Sequence, residues 1–508
     1  MRLLDTQTKR LEPNEFHGSR LPQYAILSHT WEHDEVTFED MQDPRVARQK
    51  EGWSKISEMC ACARRNRWRY AWVDTCCIDK KNSTELAEAI GSMYKYYQHA
   101  KQCYVYLSDL PMGASILEEL PHCKWFSRGW TLQELIAPKD VIFFNEAWDC
   151  IGTKQDLLDT ISTITRIPAP LLLHETSVAD YSVAQRMSWA ATRRTTRIED
   201  TAYCLLGLFE VSMYLNYGEE EKAFTRLQEA IIKSSMDLSL LVWNTSSKEQ
   251  AKGVLSILAL SPSRFLYCSD VKALPQTSEV SWAVTARGLE LQGNLLMLRP
   301  SEPARGPSFG LLAACYDAEL QYFVHLEMIG PNLYARNGRY EPEPLDVDIA
   351  QLTMKSKPSV PSVIAIRSSQ LQNLSSYYLQ IRTSREIHIN TAAPNRFYNN
   401  TEQAFYFGVS SSCIIALEVI IRGKIFNFML VVETQQLKLH FSQHEESDMR
   451  KFFAESIEHD DLETWKYQAT HLDLYTGERE PIMSYLENSL RKPVSQSVQK
   501  SVRKQVQE

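Results

Sequence analysis

Short apolar runs alternate with helical patterns along the first 150 residues of the chain. Residues 24–29 (YAILSH), 70–74 (YAWVD) and 103–107 (CYVYL) are typical of buried strands. Between them, apolar residues recur at helical spacing from Trp53 to Ala63 and from Leu86 to Tyr97. A strand–helix–strand order favours right-handed crossovers and parallel pairing. The pattern therefore predicts an α/β fold with a parallel sheet.

The composition excludes several other classes of protein. Of 508 residues, 44% are hydrophobic and 23% are charged, which is ordinary globular usage and unlike that of disordered or collagen-like chains. The net charge of −8 argues against a nucleic-acid partner, which requires a basic face. No apolar stretch is free enough of charge to be a transmembrane segment, and the N-terminus does not resemble a signal peptide. Eleven cysteines, an odd number, lead us to expect free thiols and a cytoplasmic location.

The helical pattern continues beyond the predicted sheet. Residues 151–245 are mostly helical in pattern and extend the α/β core of residues 24–150. We therefore assign residues 1–245 to one domain. A polar stretch at 244–253 (NTSSKEQAKG) is linker-like and predicts a domain junction.

The second half of the sequence has a different pattern. Short β-type runs across residues 254–488 predict an accessory all-β domain, a sandwich or a barrel. The dipeptide Asn337-Gly338 predicts a two-residue hairpin within it. For the basic tail at 489–508 we expect disorder, and a weak amphipathic helix is the alternative.

Polar side chains follow the predicted strands, at the points where the chain leaves the sheet. Ligands of parallel α/β sheets bind outside the carboxyl ends of the strands. We therefore expect these polar side chains to converge on one edge of the sheet. They are Ser28, His29, Trp31, Asp74, Cys77 and Asp109.

Trp130 and Glu134 are four residues apart on a predicted helix, so they share a face. An indole beside a carboxylate suits a ligand with a flat ring and a ribose, and the carboxylate could stabilise positive charge developing on the sugar. Burial against Trp130 would raise the pKa of Glu134. The alternative is structural, because Thr131-x-x-Glu134 also fits a capping box.

Other candidate residues also have structural alternatives. Asp74 could bind loop amides, His29 could be a structural histidine, and Glu85 fits a helix cap after Asn82. Cys76 and Cys77 have no second cysteine pair, so no metal site is predicted. The P-loop, GxGxxG, GxSxG and HExxH signatures are absent from the sequence.

Four arginines form a basic cluster in the helical region. They are Arg186, Arg193, Arg194 and Arg197. The cluster could receive a phosphate group. The alternative is ordinary pairing with a helix dipole, since arginine is favoured near helix C-termini.

Five sequence blocks between residues 24 and 231 resemble the fungal heterokaryon-incompatibility (HET) domain, in that family's order. The blocks are YAILSHTWEHDEVTFEDM, YAWVDTCCIDKKNSTELAEAIGSMYKYY, WFSRGWTLQELIAP, SVAQRMSWAATRRTTRIEDTAYCLLGLF and YGEEEKAFTRLQEAI. The resemblance implies a role in fungal non-self recognition, a form of innate immunity that triggers programmed cell death. It also implies self-association or a partner incompatibility protein.

A second resemblance concerns the mechanism. The stretch SRGWTLQEL is similar to the Trp-Cys-x-x-Glu-Leu stretch of Toll/interleukin receptor (TIR) domains, with Thr131 in place of the cysteine. This similarity implies a flavodoxin-like or TIR-like sheet. In catalytic TIR domains the glutamate of the stretch supports cleavage of NAD, and that role falls on Glu134.

Together these observations predict a death effector that hydrolyses NAD, with NAD as substrate and without a cofactor or metal. Glu134 would be the catalytic residue. Substrate binding is assigned to Ser28, His29, Trp31, Asp74, Cys77, Arg128 and Trp130. The alternative is a non-catalytic, self-associating signalling module with a β-rich regulatory domain. Acyl or phosphoryl transfer by Cys77 or His29 is a third hypothesis.

Overall fold

A computed structural model describes the N-terminal half of the chain almost continuously. It covers residues 1–250 except 14, 17, 19 and 20, residues 254–274, the strands named below, and the turn at 338–342. The chain divides into two compact units, residues 1–326 with 336–359 and residues 327–335 with 360–508. The junction predicted at 244–253 falls within the first unit, and the domain boundary stays a prediction.

A seven-stranded mixed sheet lies at the centre of the N-terminal half. Its strands are β1 (Leu4–Asp5), β2 (Arg10–Leu11), β3 (Tyr24–His29), β4 (Tyr70–Trp72), β5 (Gln102–Tyr106), β6 (Val141–Phe144) and β7 (Cys150–Thr153). The spatial order is β2-β1-β4-β3-β5-β6-β7, and β4, β3, β5 and β6 pair in parallel. The predicted parallel sheet is thus confirmed at its centre. The edge strands β1, β2 and β7 are antiparallel and were not predicted.

Helices connect and extend the sheet. They are α1 (Pro44–Ala47), α2 (Trp53–Arg65), α3 (Asp74–Cys77), α4 (Ser83–His99), α5 (Ile116–Glu119), α6 (Lys124–Ser127), α7 (Thr131–Ile136), α8 (Leu158–Thr165), α9 (Ala169–Leu172), α10 (Val183–Ala190), α11 (Asp200–Tyr203), α12 (Lys222–Ser234) and α13 (Ser247–Gln250). Short 3-10 helices lie at Asp40–Gln42, Leu120–His122, Val178–Asp180, Leu238–Leu241 and Pro262–Phe265. No helix in the described residues is both long and apolar enough to cross a membrane.

Helix starts follow the polar residues predicted to cap them. The Asn82 side chain accepts hydrogen bonds from the Thr84 and Glu85 amides at the start of α4. Ser182 and Gln185 form a capping box at the start of α10. By contrast, the Glu85 carboxylate accepts from the Asp79 amide and pairs with Arg2, so the predicted capping role of Glu85 is wrong.

The position of β3 creates the crevice in which a ligand could bind. All six residues of β3 are buried, and the strand pairs with β4 on one side and β5 on the other. The chain therefore leaves β3 for one neighbour and later returns to the other, which is a topological switch point. Crossovers that diverge at a switch point leave a crevice at the carboxyl ends of the strands.

The segment at 254–274 packs on the end of the helical region. The Trp243 indole donates to the Ile257 carbonyl at 2.8 Å, and the Gln228 amide donates to the Ala259 carbonyl at 2.8 Å. The buried Arg336 guanidinium donates to the Leu241 carbonyl at 2.8 Å. Chain beyond the predicted linker thus completes the packing of the helical region.

The second half is β-rich, as predicted. Its strands are β8 (Val254–Leu255), β9 (Ser281–Thr285), β10 (Gly288–Gln292), β11 (Leu296–Leu298), β12 (Ser308–Cys315), β13 (Leu320–Gly330), β14 (Leu333–Asn337), β15 (Glu343–Asp346), β16 (Leu352–Met354), β17 (Ser362–Ile364), β18 (Tyr377–Gln380), β19 (Ile387–Ala393), β20 (Tyr398–Asn399), β21 (Ala404–Phe407), β22 (Cys413–Ile421), β23 (Lys424–Glu433), β24 (Lys438–His444) and β25 (Thr470–Asp473). In the second unit, β19-β22-β23-β24-β25 form an antiparallel sheet. The predicted basic tail at 489–508 lies outside the described residues.

The hairpin predicted at Asn337-Gly338 is wrong in its pairing. A turn follows β14 there, but β15 pairs with β13, and the end of β14 pairs with β8. A Cβ at Gly338 would lie 2.6 Å from Leu255 Cδ1, so β8 can lie this close only because residue 338 has no side chain. The close approach of β8 explains why the two strands beside the turn do not pair with each other.

Candidate functional site

A cavity of about 510 Å³ lies at the predicted edge of the sheet. The loop after β3, the region from α3 to α4, and the turn from α6 into α7 supply three parts of its wall. The helical region supplies the fourth. The lining residues are His29, Trp31, Asp74, Ile78, Lys80, Leu86, Ile90, Met93, Ser127, Arg128, Gly129, Trp130, Glu134, Arg194, Thr195, Thr196, Arg197, Asp200 and Tyr217.

Glu134 lies on α7 and is 8% exposed. Its carboxyl accepts a hydrogen bond from the Ser28 hydroxyl, which in turn accepts from the Trp125 indole at 2.7 Å. An indole N–H can only donate, so the hydroxyl hydrogen of Ser28 is free for Glu134. Burial raises the pKa of Glu134 to about 8, although the Ser28 hydrogen bond acts in the opposite direction.

The start of α7 does not use the predicted capping box. Trp130 occupies the N-cap position, and no side chain caps the helix. The Thr131 hydroxyl lies 2.5 Å from the Trp125 carbonyl oxygen and 2.9 Å from the Arg128 carbonyl oxygen, and its single hydrogen is shared between these two acceptors. The capping alternative for Glu134 is therefore wrong, and its carboxyl is left to face Ser28 and the cavity.

Asp74 is the second carboxylate of the cavity. The His29 ring lies 3.1 Å from Oδ1, and the Trp31 indole donates to Oδ2 at 2.7 Å. Burial alone would raise the pKa of Asp74, but these hydrogen bonds and the charge of Lys80 lower it to about 2. At neutral pH the cavity thus combines an ionised Asp74 with a largely protonated Glu134, a separation typical of acid–base sites.

Two indoles stand on the cavity wall, each held by a carboxylate. Trp31 is 46% exposed, and the Lys80 ammonium lies 3.5 Å from the centre of its ring. The Trp130 indole donates to Asp200 at 3.2 Å, and the Tyr217 hydroxyl donates to the other Asp200 oxygen at 2.9 Å. The cavity therefore offers fixed aromatic surfaces for a flat ring.

Comparison with known proteins identifies the N-terminal region. Residues 24–114 match the family model described as Heterokaryon incompatibility protein (HET). The chain is also 45% identical over 245 residues to the Vegetative incompatibility protein HET-E-1 of Podospora anserina. The family model assigns residues 24–114 to a heterokaryon-incompatibility domain. The alignment covers 46% of this chain and 18% of the curated relative, so the chain spans less than a fifth of that protein's length. No solved structure matches the chain.

The cavity extends beyond the residues that the family model matches. The match ends at residue 114, whereas Trp130 and Glu134 follow it. Asp200 and Tyr217, which sequence reasoning did not select, lie still further along. Their only signal in the sequence was their position inside the blocks that resemble the HET domain.

The structure brings together six of the eight predicted site residues at the cavity. The six are His29, Trp31, Asp74, Arg128, Trp130 and Glu134. Ser28 is fully buried behind Glu134 and acts on it through the hydrogen bond described above. Cys77 does not reach the cavity, because α3 turns it into the core, where its sulfur accepts from the Val73 amide at 3.4 Å. The remaining candidate, Asp109, accepts from the Lys124 amide at 2.8 Å instead of lining the cavity.

The predicted arginine cluster separates into two pairs. The Arg186 guanidinium donates to the Leu208 carbonyl at 3.2 Å, and that of Arg193 donates to the Arg128 carbonyl at 2.9 Å. Arg194 and Arg197 instead line the cavity. Among the described residues, no group of three His, Cys, Asp or Glu side chains is placed to hold a metal ion.

Proposed function

We propose that this HET-domain protein is a death effector of fungal non-self recognition, and that it acts by hydrolysing the nicotinamide–ribose bond of NAD. The observation that carries the proposal is the Glu134 carboxyl, which is buried yet borders an open cavity beside Trp130. The name of the relative, a vegetative incompatibility protein, supports the biological setting. The described cysteines are all free thiols, which supports a reducing, cytoplasmic site of action.

Glu134 would act on the ribose. When the glycosidic bond breaks, its electron pair leaves with nicotinamide, and positive charge develops on the sugar. A carboxylate at that point stabilises the charge, and water then attacks the sugar and releases a proton. The pyridinium charge of bound NAD would favour the ionised form of Glu134, against the effect of burial.

The surrounding residues have supporting roles in this proposal. Trp130, held by Asp200, would offer a stacking surface for a ring of the substrate. Asp74 would hold His29 and Trp31 in the cavity wall. The order of the parallel strands and the Trp130–Glu134 stretch support a TIR-like relationship of the α/β core. We also propose that activity requires self-association, because unchecked loss of NAD would kill the host cell.

The test is nicotinamide release by the purified full chain and by Glu134→Gln, measured in dilute and in assembled protein. We expect Glu134→Gln to lose about 10²–10³-fold in rate, the usual effect of removing one charge-stabilising group. Glu58→Gln, an exposed carboxylate on α2, is the matched control and should keep wild-type activity. Equal rates in wild type and Glu134→Gln would remove Glu134 from the mechanism. No nicotinamide release in any assembled state would reject the enzyme hypothesis and leave the hypothesis of a non-catalytic signalling module.

A further inference from the structure

Two segments distant in sequence are joined beside the cavity. The Gly129 amide donates to the Arg194 carbonyl at 2.8 Å, and the Arg194 amide donates to the Ser127 carbonyl at 2.7 Å. Arg128 and Arg194 thereby form a parallel β-bridge. We call residues 127–129 and 194–197 together the arginine strap. Because both segments line the cavity, the strap fixes their backbones where a ligand would lie.

The strap places three arginines in the lining of the cavity, Arg128, Arg194 and Arg197. The Arg197 guanidinium lies 4.4 Å from the centre of the Tyr217 ring, which restricts its position. Arginine ion pairs in the described part of the chain involve Arg2, Arg45, Arg69, Arg226 and Arg264. The three strap arginines therefore have no carboxylate at ion-pair distance there.

Arginines at a cavity that form no ion pair are free to bind an anion from solution. A guanidinium presents a planar fork of donors that matches two oxygens of a phosphate. Stacking on Tyr217 also reduces the side-chain entropy that Arg197 would lose when it binds a ligand. Asp74 and Asp200 line the same cavity and partly balance these charges, but neither forms an ion pair with a strap arginine, so the arginine forks stay available to an anion.

We propose that the arginine strap is a phosphate subsite that binds the diphosphate of a nucleotide whose sugar reaches Glu134. This inference rests on the proposed function, because it assigns the other end of the same ligand. It differs in what it requires: the strap has to recognise phosphate whether or not the cavity cleaves the ligand.

The test is calorimetric binding of two probes to the full chain, ADP-ribose with a diphosphate and adenosine without one. We expect wild type to bind ADP-ribose at least tenfold more tightly than adenosine, and to lose that advantage as salt concentration rises. Arg194→Gln and Arg197→Gln should each weaken ADP-ribose binding about tenfold and leave adenosine binding unchanged. Arg48→Gln, an exposed arginine outside the cavity, should bind both probes as wild type does.

Thermal melting shows whether each variant is folded, and Arg194→Lys serves if Arg194→Gln is not. Lysine keeps the charge and loses the fork, so we expect an intermediate loss of ADP-ribose affinity. Equal ADP-ribose affinity in wild type and folded variants, or equal losses for both probes, would overturn the subsite. Strap-dependent ADP-ribose binding without nicotinamide release would support the subsite and reject only the enzyme. Nicotinamide release with an unchanged KM in Arg194→Gln would support the enzyme and reject only the phosphate subsite.

Discussion

At the scale of single residues, the decisive feature is the chain of hydrogen bonds from Trp125 through Ser28 to Glu134. Burial makes ionisation of Glu134 unfavourable, and the Ser28 hydroxyl partly opposes this. Ser28 is therefore a positioning residue that also sets the pH at which Glu134 becomes a carboxylate. The proposed chemistry needs that ionised form.

The pH profile of nicotinamide release should report this balance. With the pKa of Glu134 at about 8, kcat/KM is expected to rise tenfold per pH unit below pH 8 and to level off above it. Ser28→Ala removes a hydrogen bond to the charged form, worth about 1.5–3 kcal/mol. The midpoint should therefore move about one to two units to higher pH, since about 1.4 kcal/mol corresponds to one unit.

Ser54, whose hydroxyl donates to the Glu51 carbonyl at 3.0 Å, does not line the cavity, so Ser54→Ala is the control for this profile and should keep the wild-type midpoint. A Ser28→Ala midpoint equal to that of wild type would show that Ser28 does not tune Glu134. A profile that falls with rising pH would instead mean that protonated Glu134 is the active form.

The spacing of residues along the helix was sufficient to select Glu134 as a site residue. It was insufficient to identify the residue that donates a hydrogen bond to Glu134. Trp130 and Glu134 are four residues apart and belong to one helix face, so their spacing alone predicts that both reach the cavity. Ser28 lies 106 residues away from Glu134, and only the register of β3 against the helices brings the two together. Asp200 was not selected for the same reason, because its partners Trp130 and Tyr217 come from separate segments.

At the scale of elements, the arginine strap explains why residue 129 is a glycine. A Cβ at Gly129 would lie 2.5 Å from Thr195 Cγ2 and 3.1 Å from Cys204 Sγ. The two segments approach so closely that no side chain fits between them. Sequence patterns predicted the helices on either side of the strap, but not the bridge, since a single β-bridge has no periodicity to detect.

Gly129→Ala should destabilise the protein by about 1–3 kcal/mol, the usual cost of overpacking. Thr195→Ser removes the methyl group that the new Cβ would meet and keeps the hydroxyl that donates to the Arg197 carbonyl at 2.6 Å. The double variant is therefore expected to recover part of the loss. Urea unfolding of the two single variants and the double variant measures this coupling.

Gly91→Ala is the control for the strap variant. Gly91 is exposed on α4, and a methyl group added there would have no atom within 4 Å beyond its own helix. Alanine at such a helical site should be neutral or stabilising by up to about 1 kcal/mol. If Gly129→Ala behaves like Gly91→Ala, the strap is not closely packed.

At the scale of the whole molecule, the helical region depends on chain that follows it. Segment 254–274 supplies hydrogen-bond partners to Trp243 and Gln228, and Arg336 binds the Leu241 carbonyl. The polar composition of 244–253 predicted a domain boundary. Composition reflects only the local polarity of a segment, so it could not reveal these long-range contacts.

Truncation should expose that dependence. A chain of residues 1–274 is expected to melt at a higher temperature than one of residues 1–245, and the full chain higher still. The shorter chain leaves the Trp243 indole and the Gln228 amide without the Ile257 and Ala259 carbonyls, and each lost hydrogen bond contributes about 0.5–1.5 kcal/mol net when its donor is exposed to water instead. Equal melting temperatures for 1–245 and 1–274 would show that the segment is dispensable.

The arginine strap and other contacts between distant segments also limit which part of the chain recombination could transfer with the cavity intact. Strand β1 pairs with β4, the strap joins residues 127–129 to 194–197, and Tyr217 holds Asp200. A recombination event that moved only the segment from 24 to 114 into another gene would transfer three central strands of the sheet and leave the opposite wall of the cavity behind. The lining of the cavity alone spans residues 29 to 217, and the contacts of the helical region with segment 254–274 extend the piece that has to be inherited together.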